Sequence, residues 1–163
     1  MAAPFRIYRV LCSTSPDLES ERRVFESTLA SFVEQVTFPQ QVLFAPASFT
    51  PAFDADRHRA AGEDNIRTCD FFAHIFSATW PGNAFKSFIE LAQACQADPS
   101  KPMRHVTVLF KDFAGADEQV RKYRDTLAAA GNTELRDFQD PVALDRQLRE
   151  IYASWWDSVQ ARP

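Results

Sequence analysis

The sequence predicts a three-layer α/β domain built on a doubly wound, five-stranded parallel sheet. Five strand-like runs alternate strictly with five helix-like runs, the order that builds β-α units joined by right-handed crossovers. The run Asp70–Ser77 (D-F-F-A-H-I-F-S) is almost entirely apolar, as a strand covered on both faces must be. Fifteen phenylalanines against four glycines in 163 residues supply a well-filled aromatic core with little flexible loop. That length fits one domain, and residues 1–163 read as one, without repeat, low-complexity tract or linker.

Phe5–Cys12 is rich in β-branched and aromatic residues and predicts the first strand, broken by Ser13-Thr14-Ser15. Ser15-Pro16-Asp17 predicts a helix start, with a hydroxyl N-cap, Pro at the first helical position and acids in the first turn. Apolar residues at Leu18, Val24/Phe25, Leu29, Phe32/Val33 and Val36 carry that helix to about Val36. Gln41–Ala45 is a second strand closed by Pro46, Ser48–Pro51 a loop, and Asp54–Thr68 a helix weakened by Gly62. After the third strand, Asp70–Ser77, the tripeptide Pro81-Gly82-Asn83 makes a turn. Ala84–Ala97 is then a helix with Phe85, Phe88/Ile89 and Ala92 on one face, ended by Pro99 and Pro102. Arg104–Phe110 is the fourth strand, and Ala116–Ala130 a helix stopped by Gly131. Thr133–Phe138 is a weak edge strand. Asp140-Pro141 caps a last helix reaching Trp155 or beyond, on which Trp155 and Trp156 cannot both face inward.

Five such units predict the flavodoxin-like strand order 2-1-3-4-5, with ligands at the switch point between strands one and three. The loops that matter are Ser13–Asp17, Pro46–Asp54, Ser77–Asn83 and Lys111–Gly115. Several chemistries are excluded. Neither a dinucleotide-binding glycine fingerprint nor a P-loop occurs. A phosphoacceptor site would need paired acids after strand one and an Asp ending strand three, where this chain has Ser13-Thr14 and Ser77-Ala78. Histidines 58, 74 and 105 are scattered, so no metal site and no resident cofactor are expected. A formal charge of −4 gives no global basic field for nucleic acid or acidic lipid. Cys12, Cys69 and Cys95 lie in or beside apolar runs, which predicts free buried thiols and a reducing compartment. With neither a signal peptide nor a membrane-length apolar run, a cytoplasmic location is expected.

The stretch Val10–Arg23 (V-L-C-S-T-S-P-D-L-E-S-E-R-R) resembles the opening of a family of TIR-related domains of unknown function, commonly placed N-terminal to STAND-type NTPases and repeat proteins. Ser13, Thr14, Asp17, Leu18, Glu21 and Arg22 carry the match. Cys69-Asp70 resembles the family's entry to its third strand, and S-F-I-E-L-A-Q-A (Ser87–Ala94) resembles the acid-bearing helix of TIR domains and nucleoside deoxyribosyltransferases. Where the family carries a Tyr-Gly turn after strand three, this chain has Ser77-Ala78-Thr79-Trp80-Pro81-Gly82. The resemblance implies cleavage of an N-glycosidic bond in NAD or a nucleoside, NAD being a substrate, with Glu90 as the catalytic carboxylate. It also implies a partner: another copy of the chain, or an adjoining effector or NTPase domain of a larger protein.

Each implied site residue also has an ordinary structural use. An oxocarbenium-like transition state needs one carboxylate near the anomeric carbon, yet Lys86 and Glu90 are also a plain i,i+4 surface pair. Trp80 suits stacking on a planar base or plugging a loop onto the sheet. Ser13, Thr14 and Ser15 suit a phosphate or ribose hydroxyl at a helix start, or, for Ser15, an N-cap. Asp17 suits the helix dipole, and Ser77 lines the loop after strand three. The charges Glu19, Glu21, Arg22 and Arg23 read as a solvated face. Three readings stay open: a glycohydrolase or transferase, a non-catalytic signalling or assembly module, and a nucleotide sensor.

Overall fold

The computed structural model describes residues 3–48 and 55–163. The predicted Ser48–Pro51 loop and the Asp54 helix start lie largely outside the described residues. Ten elements alternate along the chain: β1 (Arg6–Thr14), α1 (Glu19–Phe32), β2 (Val42–Ser48), α2 (Ala55–Thr68), β3 (Phe71–Phe76), α3 (Asn83–Ala97), β4 (His105–Lys111), α4 (Glu118–Ala130), β5 (Glu134–Phe138) and α5 (Pro141–Ala161). The five strands pair in parallel, in the order β2-β1-β3-β4-β5. This is the three-layer, flavodoxin-like arrangement that the alternation predicts.

Strand alternation divides the core between two faces. Tyr8, Val10 and Cys12 of β1 and Phe71, Ala73 and Ile75 of β3 meet α1 and α5 in one cluster. Leu11 of β1, Phe72 and Phe76 of β3, and Val106, Val108 and Phe110 of β4 meet α2, α3 and α4 in the other. Every residue of β3 is buried, which is why its sequence shows no polar alternation.

Three boundaries differ from the prediction, each for a physical reason. β1 runs on through Ser13 and Thr14, because their pairing with His74 and Ile75 of β3 continues the ladder. β2 contains Pro46 rather than ending at it, since an edge strand tolerates a missing N–H. Ser15 is not a helix cap. Pro16-Asp17 form a turn, Leu18 is the residue before the helix, and no side chain caps α1. The other helix starts follow their acids: Asp117 accepts from Val120 N at 3.0 Å and Asp140 from Ala143 N at 2.8 Å. After Phe32 the first helix loosens into a π turn over Val33–Thr37 and a 3₁₀ turn over Phe38–Gln40, so the predicted end at Val36 falls inside the irregular segment.

Candidate functional site

Ser13 and His74 face each other in register on β1 and β3. Ser13 Oγ and His74 Nδ1 lie 3.0 Å apart in the interior. The imidazole packs 4.3 Å from the Phe76 ring and 5.3 Å from Phe85, and burial lowers its pKa from 6.5 to about 3. It is therefore neutral, and its Nε2 has no partner among the described residues. Ser13→Ala would remove the partner of the other ring nitrogen as well. We expect that variant to lose roughly 1–3 kcal/mol, the cost of stranding a buried polar group, measured by urea unfolding. An unchanged midpoint would show that the serine is not the imidazole's support.

Ser15 staples the two strand exits together. Its N–H donates to Ile75 O at 3.0 Å, and its Oγ accepts from Ser77 N at 3.3 Å. Ser77 Oγ in turn donates to Thr79 O at 3.2 Å and accepts from Thr79 N at 3.3 Å. The Ser15 and Ser77 hydroxyls are thus taken up by loop geometry, and Thr14 is buried beside them. Around Leu11, Ser13, Gly62, Ile66, Phe72 and Phe88 the described walls of the switch point close with no room for water.

Trp80 is tied down from two sides. Its backbone N–H donates to Asp117 Oδ2 at 2.8 Å, and Asp117 N donates to Ala78 O at 2.8 Å. Its ring stacks on Phe76 with centroids 5.8 Å apart and meets Tyr123 edge-on at 5.4 Å. Glu90 sits on the outer side of α3, 56% exposed, with Lys86 Nζ 3.7 Å from Oε1. Burial, and then the charge of Glu90, push the Tyr123 phenol well above its ordinary pKa. The Tyr123 hydroxyl has no partner among the described residues. Glu90 and Trp80 thus converge on Tyr123, while Ser13, Ser15 and Ser77 gather around His74 and the β1–β3 exits.

One ion pair at this edge was not legible as such. Glu21, expected on a solvated face, is 6% exposed, and Lys111 Nζ at the end of β4 lies 2.6 Å from its Oε1. Burial pushes the Glu21 carboxyl up, but hydrogen bonds from Lys111, its own N–H and Ser20 outweigh that and hold it below 4.5. The Glu21 hydrogen bond raises Lys111 in turn, with Asp112 and Asp17 adding smaller effects. Asp17 itself is exposed on the turn before α1. Only Glu19, Arg22 and Arg23 form the exposed pairs expected of that stretch.

The chain matches no protein-family model and no curated protein. The TIR-like resemblance stands on Val10–Arg23 and the two later stretches alone. Among the described residues, no group of three or more His, Cys, Asp or Glu could hold a metal ion, and no helix is long and apolar enough to cross a membrane. Cys12, Cys69 and Cys95 are free and buried, with thiol pKa values raised chiefly by burial, so they are poor nucleophiles.

Proposed function

We propose that this chain is a TIR-like signalling module that works by assembling with further copies of itself, rather than by turnover at its crevice. The observation that carries this reading is an apolar groove of about 400 Å³ at the β2 edge, lined by Leu29, Ala30, Val33, Phe38, Phe44 and Pro46 and rimmed by Glu26 and Glu34. Phe38 is 52% exposed and stacks 5.2 Å from exposed Phe5. At the opposite edge, beyond β5, Val142 is 77% exposed on the first turn of α5, one turn before Arg146. An apolar knob beside a cation is complementary to an apolar groove with an acidic rim. Surfaces on opposite edges make a heterologous, head-to-tail contact.

Sedimentation across a concentration series tests it. The wild-type chain should self-associate. Glu26→Lys with Glu34→Lys, or Arg146→Glu alone, should weaken association about 10-fold or more, and all three reversals in one chain should restore it. A monomer at every concentration, or association indifferent to both reversals, would sink the reading.

The convergence of Glu90 and Trp80 on Tyr123 favours a second reading, cleavage of the N-glycosidic bond of NAD or a nucleoside with Glu90 at the anomeric carbon. Concentrated protein and its Glu90→Ala variant, incubated with NAD and a nucleoside panel, separate the two. Base release that disappears in the variant establishes the enzyme. No release at any protein concentration leaves assembly as the function.

A further inference from the structure

The largest cleft described lies at the amino ends of the strands, opposite the crevice. It has a volume of about 690 Å³ and is walled by Asp70, Gln96, Asp98, Lys101, Arg104 and Arg162, among others. That volume falls within the ~300–1,000 Å³ of small-molecule sites. Gln96 supplies an acceptor without a partner. Its Nε2 donates to Arg104 O at 3.2 Å, which fixes the amide orientation, because the flipped amide would set two carbonyl oxygens against each other. Gln96 Oε1 is then buried with no donor among the described residues, an arrangement that costs stability until a donor arrives.

The charges of the cleft are unequal in number and in use. Three cations face two carboxylates. Asp98 Oδ1 is occupied by Ser100 N at 2.9 Å and Ser100 Oγ at 2.7 Å. Asp70 Oδ2 accepts from Arg9 N at 2.8 Å. Arg104 donates to Ser158 O at 3.1 Å and lies 5.1 Å from the centre of the Tyr8 ring, so it is a fixed part of the wall. Lys101 and Arg162 make no side-chain hydrogen bond or ion pair to a described residue. Two unpaired cations beside an orphan acceptor call for an anion that also carries a donor.

We propose that this cleft binds a small phosphate monoester bearing an N–H or O–H donor. Lys101 and Arg162 take the phosphate, for which a forked guanidinium and a point-charge ammonium are both suited, and Gln96 Oε1 takes the donor. The site does not depend on the assembly reading or on Glu90.

Calorimetric titration with AMP, ribose 5-phosphate and phosphoserine, and with adenosine as the phosphate-free control, tests the proposal. At least one monoester should bind saturably, and adenosine should bind at least ~10-fold more weakly than AMP if AMP is the one that binds. Gln96→Met and Arg162→Gln should each weaken that monoester about 10-fold. Their unfolding midpoints without ligand should match or exceed the wild type, because neither change removes a contact needed by the core. Three results would overturn the site: no monoester binding, adenosine equal to AMP, or binding unchanged in both variants. The last would place the ligand elsewhere on the chain.

Discussion

Trp155→Ala is expected to cost about 3–5 kcal/mol, the range for removing a large aromatic side chain from a core, and so a large share of the ~5–15 kcal/mol that holds a domain folded. Trp155 is fully buried and stacks on Phe71 of the central strand, ring centres 4.7 Å apart at 14°. Tyr152 lies 5.2 Å away on the same helix. It meets Phe25 of α1 edge-on at 5.5 Å, and its hydroxyl donates to Phe25 O at 2.9 Å. Removing the indole therefore opens a cavity where α1, α5 and β3 meet. The indole Nε1 has no partner among the described residues, so its contribution is packing, and Trp155→Phe should recover more than half of the loss. Trp156 packs only partly against the same cluster, and Trp156→Ala should cost about 1 kcal/mol. Urea unfolding followed by circular dichroism ranks the three. A Trp155→Ala loss no larger than that of Trp156→Ala would show that α5 does not key the core.

The fold was legible because its signals are local or periodic. Fully apolar β3, the Asp140-Pro141 start and the Gly131 stop each act within a few residues. The inward choice between Trp155 and Trp156 follows from helical period once Leu144, Leu148 and Ile151 fix the buried face. The site was less legible because its contacts are long-range. Ser15-Pro16-Asp17 has the composition of a helix cap, yet the Ser15 hydroxyl meets the Ser77 amide, 62 residues away. Nothing local distinguishes that contact from capping. Glu21 shows the same limit. Its neighbours Glu19, Arg22 and Arg23 make a charged run that reads as solvated, and only the approach of Lys111 from β4, 90 residues on, gives the buried carboxylate a reason to be there. Trp80 reads equally as a stacking platform or a plug until Phe76 and Tyr123 are seen around it.

Lys111→Met should be the most damaging single change at the carboxyl edge. The Glu21 side chain is 8% exposed and that of Lys111 31%, so the methionine leaves a nearly buried carboxylate without its cation. Breaking a buried pair from one side costs roughly 3–5 kcal/mol. The partial exposure of the lysine screens some of that, and about 2–3 kcal/mol is expected near neutral pH. The pH dependence identifies the cause. In the wild type the Glu21 pKa lies below 4.5 in the folded state, so its stabilisation is present above that value and is lost as pH falls through the folded pKa. In the variant the burial effect stands with less to oppose it, and the folded pKa rises. A carboxyl of that kind favours the folded state only while protonated, and that contribution is lost as pH rises through the raised value. His74, neutral in the folded protein, takes up a proton on unfolding below about pH 6.5 and lowers acid stability in both proteins alike, so it cancels in their difference. The gap between wild type and Lys111→Met should therefore be widest near pH 7 and shrink steadily toward pH 4. Glu21→Gln combined with Lys111→Met, which removes both charges, should be more stable at pH 7 than Lys111→Met alone. A gap that stays constant with pH would mean that the lysine acts through the packing of its stem, and that the carboxylate at the mouth of the crevice is held by something other than its charge.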